Sequence, residues 1–356
     1  MTIAWTLHPA AELDRYAATW NALNAEAGAL PFLDTKFLVP LLAAFGSGQE
    51  RIAFATRGAA CVAAAIVEPI GPGRWQTIQP SQLPLGAWIS RKDEAIYPLQ
   101  SALIRKLPGF VVELGLTQLD PDFVRRPADG PQLSTLDYID TAWVDVAGDF
   151  DTYWNARGKN LRSNARKQRN KLEADGVTVA FDVLSSADDV AAAIAEYGRL
   201  ETASWKAGTG TAVSPDNAQG RFYREMMEAF CASGRGEIWR YRFDDVVVAM
   251  DLCIAAGRKL VILKTAFDSS QKTISPASLL HQDAFRRVFE QGHFDRIEFY
   301  GRVMEWHTRW TEQKRVLFHA TAYRWSLVGQ SLALLRRLRA SREDGLLAEE
   351  ARAGES

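Results

Sequence analysis

Cysteine is scarce in this chain of 356 residues: Cys61, Cys231 and Cys253 stand far apart, odd in number and with no CxxC pair. That pattern excludes a disulfide framework and a zinc ribbon and points to a reducing cytosol as the compartment. Charge of one sign is not in excess either, 42 Lys plus Arg standing against 43 Asp plus Glu. The global positive field of a general nucleic-acid binder is therefore excluded, and any basic function must be local. No apolar run approaches the roughly 18 residues needed to cross a bilayer. The N-terminus MTIAWTLHPAAELDRY has no basic stretch followed by an apolar one, so no secretory leader is expected. Repeats of solenoid length are absent. His8, His281, His293 and His319 have no metal-ligand spacing and read as structural or surface residues, so no metal is expected.

What is present is apolar content, 47% of the chain, enough for two domains with their own cores. The first half opens with a strand near Ala4 to Leu7, the helical pattern AAELDRYAATWNALNAEAG and the short helices of PFLDTKFLVPLLAAFG. Strands RIAFATRG and ACVAAAIVEPIGPGRWQTIQP follow, with GPG at a hairpin turn, then helix DEAIYPLQSALIRKL and strand FVVELGL. Pro121 to Leu136 reads as loop, and new elements open at TAWVDV, which puts a boundary near residue 148. The second half gives a basic helix, strand VTVAFDV, two helices, three strands, helix SPASLLHQDAFRRVFEQG, strand RIEFYG and a last strand near VLFHATAYR. The expected class is α/β (α+β), a mixed sheet flanked by helices in each of two tandem units, 1–148 and 149–330. Residues 331–356 would add a basic amphipathic helix and a frayed tail.

The stretch GKNLRSNARKQRNKLEADG holds the local basic charge. Leu161, Ala165, Gln168 and Leu172 share one helical stripe, and Arg162, Arg166 and Arg169 share another at i, i+4, i+7. The arginine row is either a solvated face or a clamp for phosphate or carboxylate. It has no interleaved aromatics to stack bases, so nucleic acid is not expected as a partner.

Five segments in order, WNARGKNLRSNARKQRNKLEADG, LETASWKAG, RFYREMMEAF, TAFDSSQKTISPASLLHQDAFRRVFEQG and RIEFYGRVMEWHTRW, resemble the CelD-like, FemAB-like branch of the GNAT acyltransferase superfamily. The resemblance spans Asp149 to Arg324, and LPFLDTKFL carries a vaguer one to the degenerate first GNAT-like domain of such proteins. It implies an acyl-CoA co-substrate held where two parallel strands splay. Pantetheine would lie along KLVILKTAF, at Lys264 and Thr265, and the pyrophosphate near Lys272, Ser275, Ala277 and Ser278 at a helix N-terminus. Relatives usually have Gly where this chain has Ala277. They also have Tyr-Lys-x-x-Trp where it has Trp306, His307 and Trp310. For an amine attacking a thioester, the resemblance implies His307 or Glu298 as base and Tyr300 as donor to the departing thiolate. Arg162, Arg166, Trp205, Lys206, Trp306 and Trp310 would border the acceptor.

The implied activity is N-acylation of a cell-envelope amine, a ceramide-type lipid base or an amino sugar. The alternatives are a Fem-type ligase using aminoacyl-tRNA and a non-catalytic module that binds CoA or a partner. WSLVGQSLALLRRLRASR crowds Arg336, Arg337, Arg339 and Arg342 at its end, which suits peripheral contact of residues 325–342 with the anionic inner face of a membrane.

Overall fold

A computed structural model describes residues 2–203, 213–271 and 273–327. The first half contains β1 (Ile3–Pro9), α1 (Ala17–Ala27), α2 (Thr35–Phe45), β2 (Arg51–Arg57), β3 (Ala60–Gly71), β4 (Arg74–Thr77), β5 (Trp88–Ser90), α3 (Ile96–Lys106) and β6 (Glu113–Leu119). The chain continues with β7 (Leu133–Asp145), α4 (Phe150–Asn155), α5 (Lys159–Ala174), β8 (Val179–Leu184), α6 (Ala187–Ala203), α7 (Ala218–Ala232), β9 (Gly236–Phe243) and β10 (Val246–Ala256). It closes with β11 (Lys259–Phe267), α8 (Pro276–Gln291), β12 (Arg296–Glu298), α9 (Glu305–Thr308) and β13 (Lys314–Tyr323).

The described strands form one mixed sheet in the order β1-β2-β3-β4-β6-β13-β7-β12-β11-β10-β9-β8, with β5 beside β3. β13 is the hinge of this arrangement. Last in sequence among the described strands, it pairs antiparallel with β6 on one side and with β7 on the other. β7 in turn gives its first part to β13 and its end, Trp143 to Asp145, to β12. The loop expected to last until Leu136 therefore ends early, because Leu133 to Thr135 are recruited into the ladder with β13. β5, α4 and α9 lie in stretches too short for a periodic pattern to reveal them.

Local chemistry explains the elements that carry the argument. β10 is apolar almost throughout because helices cover it on both faces. α8 starts with Ser275 and Pro276, where a missing N–H costs nothing, and stops at Gly292 in the left-handed region. Leu161, Ala165 and Leu172 of α5 are buried, as their stripe requires. α4, α5 and α8 cover one face of the second half of the sheet with the cluster of Phe285, Leu280 and Trp310. α6 and α7 cover the other face, and their core merges with that of the first half. Phe37 of α2 meets Phe222 of α7 edge to face at 5.2 Å, and Asp34 accepts from Arg235 at 2.6 Å.

Candidate active site

β11 and β12 run parallel but pair over only three positions, Lys259 with Arg296 through Val261 with Glu298. β11 then continues to Phe267, while the other chain leaves the sheet at Phe299 and turns through Tyr300, a non-glycine residue at φ 48°. A bulge at the same level, between Leu252 opposite Lys264 and Cys253 opposite Ile262, re-aims the side chains of β11. Where the strands part, a cavity of about 430 Å³ opens. Ile262, Lys264 and Thr265 line it from β11, Ser275, Ala277, Ser278 and His281 from α8, and Phe299, Trp306, His307 and Trp310 from the segment after β12.

Electrostatics divide the wall into two sides. Lys264 Nζ sits 2.9 Å from Glu201 Oε1 and over the ring of Tyr223. Glu201 also accepts the Val213 N–H at 2.9 Å, tying Val213 to the end of α6. On the aromatic side, His307 stacks on Trp306 with centroids 3.6 Å apart, and its Nδ1 accepts the Met304 N–H at 2.9 Å. Burial lowers the His307 pKa to about 4. At pH 7 the ring is neutral; its Nδ1 lone pair is taken by the Met304 N–H and its proton is assigned to Nε2, so the nitrogen left for the cavity is a donor.

Glu298 and Tyr300 do not line the cavity. Arg315 of β13 donates to Glu298 at 3.0 Å and to Asp120 at 2.7 Å, and the Tyr300 hydroxyl donates to Asp120 at 2.8 Å. All four residues are buried. Burial pushes the Glu298 carboxyl up against the pull of Arg315, and burial together with Asp120 pushes the Tyr300 phenol up. Burial also opposes the charge of Arg315, but Tyr300, Asp120 and Glu298 outweigh it and hold its pKa up. This network spans β12 and β13, which flank β7, and joins the two halves of the chain; the geometry gives Glu298 and Tyr300 no route to a bound substrate in that cavity.

An Acetyltransferase (GNAT) domain model matches residues 159–342, just over half of the chain. The chain belongs to that family. It is a GNAT-type N-acyltransferase, with a mixed sheet flanked by helices. Among solved structures, the C-terminal DUF2156 domain ascribed to a lysylphosphatidylglycerol synthetase of Agrobacterium fabrum is similar at 12% identity and TM-score 0.55, over 92% of this chain and 96% of that one. The L-PGS of Bacillus licheniformis is similar at 13% identity and TM-score 0.53, over 90% and 95%. A tandem GNAT protein from the clavulanic acid biosynthesis pathway is similar at 13% identity and TM-score 0.45, over 90% and 98%. No curated protein is significantly similar in sequence.

In this GNAT domain α5 presents amides, not guanidinium groups, to the site. A second groove of about 470 Å³ adjoins the first, sharing Ser275, Ser278 and Arg309, and α5 lines it with Asn160, Asn164 and Gln168. Arg162 instead donates to the Arg157 carbonyl at 3.0 Å, Arg169 holds Asp283 of α8 at 2.6 Å, and Arg166 is exposed. Gln168 accepts the Ser275 N–H at 2.9 Å, which fixes the N-terminus of α8 against α5. Ser275 makes no side-chain cap; its hydroxyl donates to Ser278 at 3.0 Å. Trp205, Lys206 and Lys272, together with residues 331–356, lie outside the described residues.

Sequence reasoning passed over one residue of the wall. His281, dismissed for its spacing, lines the cavity, and its Nε2 lies 3.0 Å from Oδ2 of the fully buried Asp251. The available signal was Asp251 itself, a single acid inside the apolar run VVVAMDLCIAA, since a charge in such a strand requires a partner. Among the described residues no cluster of His, Cys, Asp and Glu is suited to hold a metal, and no helix is long and apolar enough to cross a membrane.

Proposed function

We propose that the chain uses acyl-CoA to acylate an amine of the cell envelope, a long-chain lipid base or an amino sugar. The observation that carries this reading is the parting of β11 from β12 over a cavity that ends at the start of α8. Backbone groups that lose a strand partner can bond the amides of pantetheine, and the N-terminal turn of α8 offers N–H groups and a favourable dipole to a pyrophosphate. Ser275 and Ser278 would add hydroxyls there, and the methyl of Ala277 limits how closely the phosphate can approach. Phe299, Trp306 and Trp310 supply an apolar wall for the acyl chain, with Trp306 and Phe267 exposed beside it. His307 Nε2–H would donate to the thioester oxygen as negative charge develops on it. Residues 1–148 act as a supporting unit, and 325–342 touch an anionic membrane surface at its cytoplasmic face.

A second reading is an aminoacyl donor in place of acyl-CoA, as in a Fem-type ligase. Its support is that two of the similar solved structures, at TM-scores of 0.55 and 0.53, are named for lysylphosphatidylglycerol synthetase or L-PGS. Thiol release from acetyl-CoA and octanoyl-CoA, with glucosamine and a long-chain amino alcohol as acceptors, separates the two. Acceptor-dependent release of CoA thiol is the expected result. No release with any pair, together with transfer from aminoacyl-tRNA, would replace the first reading by the second.

A further inference from the structure

His281 and Asp251 form a pair that the structure otherwise leaves without a purpose. Asp251 is 0% exposed and His281 3% exposed, and the imidazole Nε2 approaches Asp251 Oδ2 to 3.0 Å. The approach is out of line for a hydrogen bond, and neither carboxylate oxygen nor Nε2 has a hydrogen-bond partner. A buried acid in that condition costs several kcal/mol, roughly the price of an unmet polar group in an apolar medium, so a fold that only needed a filler would use an apolar side chain. The imidazole meanwhile forms part of the wall of the acyl-transfer cavity, flat against Phe285 at 5.5 Å and edge-on to Trp310 at 5.7 Å. An acid behind a histidine behind a reaction chamber is the arrangement of a base with its orienting carboxylate. Such contacts are often misaligned before substrate binds.

We propose that His281 is the general base of acyl transfer, oriented and charge-stabilised by Asp251, an inference that rests on the acyl-CoA reading of the cavity. Nε2–H faces Asp251, so Nδ1 keeps the lone pair. The acceptor enters as the neutral amine. As its nitrogen forms the C–N bond to the thioester carbon, one N–H proton passes to His281 Nδ1 and the carbonyl electrons move onto oxygen. The C–S bond then breaks, and the imidazolium returns that proton to the departing thiolate, leaving amide, thiol and the original dyad. The other charged or titratable groups facing this point are His307 on α9, Lys264 on β11 and Arg309, with Cys253 on β10 and Tyr197 on α6 near Asp251. None of them has an acid placed behind a lone pair as Asp251 stands behind His281: His307 gives its Nδ1 to Met304, Lys264 is paired with Glu201, and Arg309 holds Glu305 at 2.7 Å.

His281→Asn, Asp251→Asn and the wild type are compared in the full chain by thiol release across pH 5.5–9 and by calorimetric titration with acetyl-CoA and octanoyl-CoA. The expected loss in kcat for H281N is at least about 100-fold, the usual share of a positioned base. Thioester affinity should stay within about threefold, and the acid limb of kcat, read at saturating acceptor so that ionisation of the free amine does not enter, should vanish. D251N keeps the side-chain volume, so it serves even if H281N folds poorly. Removal of the carboxylate destabilises the imidazolium, so the acid limb of D251N should move to lower pH, which a filler role would not produce. The dyad is overturned if the wild type turns over and a folded H281N does so within threefold of it, or if the limb of D251N stays in place. A wild type that binds neither thioester overturns the acyl-CoA reading and the dyad together.

Discussion

Arg315 is a buried cation held between two buried acids. Its side chain is 6% exposed, and it holds Asp120 and Glu298, which are 0% and 1% exposed. Truncating it leaves Asp120 buried without its counter-charge and Glu298 with Arg296 alone at 3.3 Å, which costs about 3 kcal/mol, the low end for buried pairs broken on one side. Arg315→Met should therefore lower the denaturation midpoint by that equivalent in urea, and a loss below about 1 kcal/mol would deny the network its structural role. His307 makes a second prediction at this scale. Its folded pKa near 4 lies below the ordinary 6.5, so on acidification the unfolded chain takes up the proton first. The stability from keeping this ring neutral is complete above pH 6.5 and is lost as pH falls toward 4, by up to about 3 kcal/mol. His307→Asn, whose amide oxygen can still accept the Met304 N–H, should show a shallower decline between pH 6.5 and 4; equal slopes in urea titrations of the two proteins would contradict the assignment.

At the scale of elements, α5 separates what a sequence reveals from what it does not. Its helix and its buried stripe of Leu161, Ala165 and Leu172 were legible because helical periodicity fixes which side chains share a face. Which polar face meets the cavity was not legible, since that depends on where α8 and α9 dock. The docked helix turns Asn164 and Gln168 to the groove and leaves Arg166 exposed. Gln168→Ala should cost about 1 kcal/mol, the usual value of one hydrogen bond made by a capping side chain, whereas Arg166→Glu should change stability by less than about 0.5 kcal/mol and turnover by less than twofold. Thermal unfolding and thiol release together check both. A large effect of Arg166→Glu on turnover would return the arginine row to the acceptor site. The strands of the cavity wall were likewise readable, KLVILKTAF as β11 and RIEFYG as β12, yet Glu298 and Tyr300 lay beyond prediction. Their partners Asp120 and Arg315 are 178 and 17 positions away from Glu298, and only the sheet brings them together.

Across the whole molecule, the late strand β13 inserted between β6 and β7 is the feature that least resembles a chain of two separable beads. A fragment of residues 1–148 would expose the facing edges of both strands, so it should aggregate or unfold without cooperativity, which circular dichroism and gel filtration would show; a soluble fragment with a sharp transition would mean that the first unit needs no help. The same insertion ties the strand that leads into the wall of the cavity to the first half, through the bonds of Arg315 to Glu298 and Asp120. The central claim, that acyl-CoA lies between β11 and β12 against the start of α8, is tested most directly by calorimetric titration of acetyl-CoA and octanoyl-CoA into the wild type and into Ser278→Trp. An indole at Ser278 fills the junction of the two cavities. The account predicts saturable binding to the wild type and at least tenfold weaker binding to S278W at unchanged melting temperature; equal affinity of the two proteins would place the thioester elsewhere and contradict it.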